Sequence, residues 1–281
     1  MATDVVPIDL TVSPSGGKRN VLGVLVDVID YDAAVDRVVE AAVRRRPFIL
    51  TALAVHGVMT GVGDLRHNAR LNAFDVVAPD GQPVRWALNL LHAAGLRDWV
   101  SGPELMLRVL WRAAVEDLPV YLYGSTQRTV DRLAAALTLL IPGLRIAGTE
   151  PSKFRAALPG EEVEIAGRIA GSGARLVLVG LGCPRQESFA HAMRPFLDMP
   201  ILAVGAAFDY HAGLLRPAPR WMQRAGLAWL WRLAGEPRRL AHRYLVLGPR
   251  YLLRLAAQAS RLWTPSAPGP AAHRPAELPP V

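Results

Sequence analysis

The residues able to do chemistry in this chain sit where apolar runs stop. Residues 76 to 79, "VVAP", lead straight into Asp80 and Gly81. A carboxylate there is either a turn residue, as in many Asp-Gly pairs, or a base aimed into a reaction site from a strand end. "GLGCPRQE" (180 to 187) puts Gly180 and Gly182 in a turn after an apolar run, so that backbone N–H groups can approach a phosphate. Arg185 fills the third glycine position of a dinucleotide fingerprint, so the motif is not that fingerprint. Gln186 and Glu187 add donors and a charge. "YGSTQRTV" (123 to 130) sets Gly124, Ser125 and Thr126 before an amphipathic run, where a hydroxyl either caps a helix or contacts a phosphate. "DYD" (30 to 32) has the look of a metal-holding aspartate pair, but Asp32 fits the N-cap of the first helix, and no metal site is expected. His56, His191 and His211 show no ligand spacing.

Alternating elements must position these residues. "VLGVLVDVID" (21 to 30) reads as a strand and "DAAVDRVVEAAVRRR" (32 to 46) as a helix. "FILTALAV" and "FDVVAP" read as buried strands with helical material between them. "PVYLYG", "LRIAG", "ARLVLVGLG" and "PILAVGAAFD" repeat the pattern with helices interposed. Near-continuous apolar strands separated by helices predict an α/β three-layer sandwich with a mostly parallel, Rossmann-like sheet. Ligands of such sheets bind beyond the carboxyl ends of the strands, where Asp80, "YGST", "GLGCPRQE" and "AFDYHAG" all fall. The expected organisation is a flexible N-terminus over 1–18, a core over 19–226, a helical appendage over 227–263 broken at Pro237 and Pro249, and a disordered Pro and Ala rich tail over 264–281.

Composition narrows the class. With 281 residues, 51% of them hydrophobic, the chain can bury a large core. Cys183 is the only cysteine, which leaves no disulfide framework and no cysteine-based zinc spacing. No leader pattern and no apolar run approaching about 20 residues is present, so the expectation is a cytoplasmic protein, peripheral on the inner face of the membrane. The net charge of +8 is local: residues 216 to 261 hold ten arginines and one acid, Glu236, a net of +9, which leaves 22 basic and 23 acidic residues elsewhere. The C-terminal region also carries Trp221, Trp229, Trp231 and Trp263. Basic helices with aromatic residues suit an anionic membrane surface, nucleic acid, or a solvated cap on the core. No nucleic-acid motif accompanies the charge, and the membrane surface is favoured. Its apolar residues could instead serve a homo-oligomer interface.

Taken in order, "APDGQPV", "GPELM", "YLYGST", "IPGLRIAG", "VGLGCPRQE", "GAAFDYHAG", "RPAPRWMQRAGLAWLWRL" and "EPRRLAHRYL" resemble the WecG/TagA/CpsF glycosyltransferases, glycosyltransferase family 26, from about residue 20 to 255. The resemblance implies inverting, metal-independent transfer from a UDP-sugar, a hexose, N-acetylhexosamine or its uronate. The acceptor would be a polyprenyl-diphosphate-linked sugar in surface polysaccharide or wall polymer assembly, with no cofactor. It makes Asp80 the general base, Gln186 a partner of the sugar or diphosphate, and Asp209 a contact to the nucleoside. Candidates for stabilising the departing UDP are Gly180, Gly182, Arg185, the Gly124, Ser125 and Thr126 turn, and Arg216, Arg220 and Arg224. Three positions depart from the family pattern: Ala54 where many members have asparagine, Trp99 where an arginine is usual, and Ala228 where an acid is usual. The rival readings are a nucleotide-cofactor oxidoreductase, disfavoured by the incomplete glycine fingerprint, and a non-catalytic membrane or nucleic-acid binding protein.

Overall fold

The computed structural model describes residues 16–155, 160–219, 221–222 and 225–269. Its centre is a six-stranded sheet in the order β4-β3-β8-β7-β5-β6, parallel at every pairing. The strands are β3 (Phe48–Leu53), β4 (Val76–Pro79), β5 (Val120–Gly124), β6 (Ile146–Glu150), β7 (Leu176–Gly180) and β8 (Pro200–Ala203). Those of the interior are almost wholly buried, because a parallel sheet is covered on both faces. Successive side chains divide between two cores: Ile49, Val77, Val177 and Ile201 face one, and Leu50, Ala78, Leu178 and Leu202 the other. The fold is the expected α/β three-layer sandwich.

The helices between strands are α1 (Tyr31–Val43), α2 (Val55–Gly63), α3 (Leu65–Asn72), α4 (Gln82–His92), α5 (Gly102–Val115), α6 (Gln127–Leu140), α7 (Glu161–Gly171) and α8 (Arg185–Met193), and α9 (Ala207–His211) follows β8. Two local expectations need correction. The N-cap of α1 is Asp30, whose carboxylate accepts from Ala33 N at 2.9 Å, while Asp32 lies in the first turn and pairs with Arg108. Residues 21 to 30 are not one strand: the chain turns at Leu22 and Gly23, both at positive φ, into an antiparallel hairpin of β1 (Lys18–Val21) and β2 (Val24–Asp27). From that hairpin the buried Asp27 carboxylate accepts Val77 N at 2.8 Å, satisfying a donor on the edge strand β4.

The C-terminal region holds α10 (Ala228–Gly235), α11 (Pro237–Ala241), a wide π-type segment over His242–Leu247 and α12 (Gly248–Ala259). Pro249 does not break the helix. It sits in the first turn of α12, where a missing N–H costs little, and the π-type segment joins α11 to it. No helix among the described residues is long and apolar enough to cross a membrane.

α12 belongs to the core. Tyr251 is 1% exposed and packs with Leu255 in the same cluster as Val21 and Val24. Its hydroxyl donates to Pro83 O at 3.1 Å. Gln258 accepts from Leu22 N at 2.9 Å and donates to Asn20 O at 3.0 Å. The chain stays on the core beyond the helix, since Asn20 donates to Pro265 O and Asn72 to Pro268 O, each at 2.9 Å. The first residues of the tail are thus tied down. The rest of the tail, 270–281, and most of the N-terminus, 1–15, lie outside the described residues. Removing the Tyr251 side chain should therefore cost global stability: Tyr251→Ala by about 3–5 kcal/mol and Tyr251→Phe by about 1 kcal/mol, read as shifts in denaturant midpoint.

Candidate active site

All strands of the sheet end on one edge, and a cleft of about 560 Å³ opens there. Two glycines give it its floor. A Cβ on Gly180 would lie 2.6 Å from the Phe208 ring, and one on Gly205, at φ +54, would lie 3.0 Å from Gln186 Oε1. Both positions need glycine, the first so that Phe208 can pack against the end of β7 and the second so that Gln186 can reach the cleft wall.

Asp80 follows β4 and lines this cleft, half-buried. Its N–H donates to Leu53 O at 3.2 Å, which continues the sheet by one residue. Burial raises the carboxyl to about 6, and three weaker effects oppose it: the charges of Arg243 and Arg232 and a hydrogen bond from the Gly102 N–H. Gly102 opens α5, the "GPELM" helix, so that helix presents its N-terminus to the carboxylate. Tyr31 of "DYD" fixes the same corner, its hydroxyl accepting from Ser101 N at 2.9 Å.

Gln186 and Glu187 form one buried unit with Thr51. Thr51 Oγ1 and Gln186 Nε2 both donate to Glu187 Oε1, at 3.0 and 2.9 Å. A carboxylate accepts only, so Glu187 holds the Gln186 amide with its nitrogen inward and leaves Oε1 of Gln186 without a protein partner. Gln186 lines the cleft, and that oxygen can accept from a ligand hydroxyl or amide.

Helices α2 after Ala54, α4 after Gly81, α5 after Ser101, α8 after Pro184 and the short α9 after Ala206 begin at this edge without a side-chain cap. Their leading N–H groups have no intrahelical acceptor, and such helix ends suit anions. Helix α6 differs, because Thr126 caps it by accepting from Thr129 N at 3.1 Å. Across the cleft stand Arg232 of α10, Arg239 of α11 and Arg243 of the π-type segment. His56 also lines it. Burial, with Arg243 and His242 nearby, lowers its imidazole to about 4 and keeps it neutral.

The structure brings together Asp80, Ser125, Gly180, Gly182, Arg185, Gln186 and Asp209. Gly124 supports this wall from behind, against the Gly180 backbone. Thr126 serves as a cap, and Arg216 is exposed away from the cleft, its carbonyl accepting from Trp231 Nε1 at 3.2 Å. Arg220 and Arg224 lie outside the described residues. The arginines that do reach the cleft, Arg232, Arg239 and Arg243, went unread individually. Their signals were the local charge excess and the motifs "RPAPRWMQRAGLAWLWRL", which holds Arg232, and "EPRRLAHRYL", which holds Arg239 and Arg243. Of the departures, Ala54 is in the cleft as the N-cap of α2, Trp99 is not, and Ala228 is the first residue of α10.

The raised Asp80 pKa carries a stability cost. Between about 4 and about 6 the folded state binds more protons than the unfolded chain, so stability falls as pH rises through that window and stays lower above it. Asp80→Asn should stabilise the protein at pH 7.5 by on the order of 1–2 kcal/mol and change little at pH 4. Thermal melts at the two pH values measure this directly.

Comparison with known proteins places this geometry. Residues 19–265 match the model of the glycosyl transferase WecG/TagA/CpsF family. The chain is also 28% identical over 206 residues to an N-acetylglucosaminyldiphosphoundecaprenol N-acetyl-beta-D-mannosaminyltransferase of Bacillus spizizenii, covering 73% of this chain and 77% of that one. A match over most of its length, on a fold that gathers the motif residues at one sheet edge, makes this chain a member of the WecG/TagA/CpsF glycosyltransferase family.

Proposed function

We propose that the protein transfers a sugar from a UDP-sugar to a polyprenyl-diphosphate-linked sugar, with inversion and with no metal on the donor diphosphate. The observation that carries this reading is the convergence of the Asp80 carboxylate with uncapped helix ends and four arginines, Arg185, Arg232, Arg239 and Arg243, in a single cleft. The acceptor hydroxyl attacks the anomeric carbon while Asp80 takes its proton. The bond from that carbon to the UDP oxygen breaks in the same displacement, which inverts the centre. Charge growing on UDP is met by the N-terminus of α8, the backbone at Gly180 and Gly182, and Arg185, Arg232, Arg239 and Arg243. Gln186 Oε1 accepts from the donor sugar, and Asp209 binds the nucleoside.

The acceptor assignment draws on the Bacillus relative, whose name describes transfer onto an undecaprenyl-diphosphate-linked sugar. A lipid-linked acceptor requires a protein that works at a membrane surface. The C-terminal region exposes Trp221, Trp229, Trp231, Leu245, Leu252, Leu253 and Leu262 among its arginines, the composition of an interfacial surface on anionic lipid. The segment that meets lipid also supplies Arg232, Arg239 and Arg243 to the cleft.

Asp80→Asn should lower transfer by about 10²–10⁴-fold while calorimetric UDP binding persists, with or without EDTA. Unchanged turnover in that variant would sink the base assignment. Wild-type rate should fall as pH drops through about 6, where Asp80 protonates. Because α12 is part of the core, membrane contact is better tested at the surface than by truncation. The pair Leu252→Gln and Leu253→Gln should cut co-sedimentation with anionic vesicles by about tenfold and leave UDP binding intact; equal sedimentation would argue against the lipid surface.

A further inference from the structure

We infer that His67, Cys183 and Glu187 form a buried site for a thiophilic divalent cation, zinc foremost, in the wall behind the cleft. Their ligand atoms all lie within 4.8 Å of one another. His67 comes from α3, Cys183 from the turn after β7, and Glu187 from the first turn of α8. His67 is 1% exposed and neither of its ring nitrogens has a hydrogen-bond partner. Glu187 is 0% exposed. Its Oε1 is used by Thr51 and Gln186, while Oε2 has no hydrogen-bond partner among the described residues, and the Cys183 thiol, a weak donor, and the Glu187 N–H lie beside the carboxylate. Buried polar atoms without partners are uncommon, and here they meet in one place.

The donor set selects the ion. Nitrogen, sulfur and carboxylate oxygen together suit zinc, and the thiol disfavours calcium and magnesium. A thiolate and a carboxylate also balance a divalent charge, so the occupied site is neutral as burial requires. Binding releases the Cys183 proton to solvent. Zinc bonds of about 2.0 to 2.3 Å put neighbouring ligand atoms about 3.5 Å apart, so the three side chains must close by about 1 Å. Cys183 and Glu187 both line the cleft, which provides the entry path and leaves the fourth position on that side.

Such an ion ties α3 to the turn that carries Gln186. It grips Glu187 at Oε2 while Oε1 holds the Gln186 amide, and so acts on the cleft through a positioning contact. It holds no diphosphate, and the inference stands apart from the transfer reading. A single cysteine offered no zinc spacing in the sequence, because the three ligands span residues 67 to 187 with no common motif.

The test uses the full-length protein, stripped with EDTA and then titrated with Zn²⁺ or Co²⁺. One zinc per chain is expected, with a thiolate-to-cobalt charge-transfer band in the Co²⁺ form. Cys183→Ser should remove the band, and both Cys183→Ser and His67→Ala should weaken uptake by more than about 100-fold. His92→Ala, a control for other histidines, should change neither. If His67→Ala fails to fold, the near-isosteric Cys183→Ser decides alone, its fold checked by circular dichroism. No stoichiometric uptake by folded wild-type protein would overturn the site, as would uptake that persists in Cys183→Ser. A parallel UDP titration reads the donor site independently.

Discussion

A parallel sheet forces every following helix to start at the same edge, and the rest of this structure depends on that constraint. Each strand that ends there delivers the N-terminus of a helix, with unpaired N–H groups and a partial positive charge. Where a side chain caps the helix, as Thr126 caps α6, that potential is spent internally. Where alanine, glycine or proline stands at the cap, it remains for a ligand. The cleft is thus built as much from missing caps as from side chains. Ala54 belongs to this pattern: an asparagine there could cap α2 itself.

Asp80 shows how the competition is set. Desolvation alone would push the carboxyl upward, whereas two arginines and the α5 terminus pull it back. The balance near 6 leaves it ionised at neutral pH yet basic enough to accept a proton. An isolated surface aspartate would be ionised as well, but a much weaker base. Gln186 follows the same logic of arrangement over identity, because its useful atom is selected by Glu187, which does not itself need to touch substrate.

The sheet was legible because its strands are uninterrupted apolar runs, and the ends of those runs locate Asp80, Gly180, Gln186 and Asp209 in the sequence. The misread elements share a cause. In the first hairpin, apolar residues continue through Leu22 and Gly23, so pattern alone does not show the turn; only positive φ at both reveals it. Asp30 and Asp32 are both plausible caps by type, and the choice between them is a matter of backbone geometry. Arg232, Arg239 and Arg243 were visible only as members of basic motifs, since which arginine of a basic helix turns inward depends on how that helix packs. The docking of Tyr251 under Pro83 links residues far apart in sequence and leaves no local periodicity to find.

The contacts of Asn20 and Leu22 with Gln258 and Pro265 join positions 236 to 245 residues apart. During synthesis the hairpin can meet Asn72 and Val77 early, but Gln258 and Pro265 follow it by more than 200 residues. Until α12 and the residues after it are in place, the Leu22 N–H and the Asn20 side-chain N–H lack these partners, and the apolar seat of Tyr251 stays uncovered. Contacts of such long sequence separation slow the completion of folding. The hairpin is therefore completed only once the segment that carries Tyr251, Gln258 and Pro265 is in place.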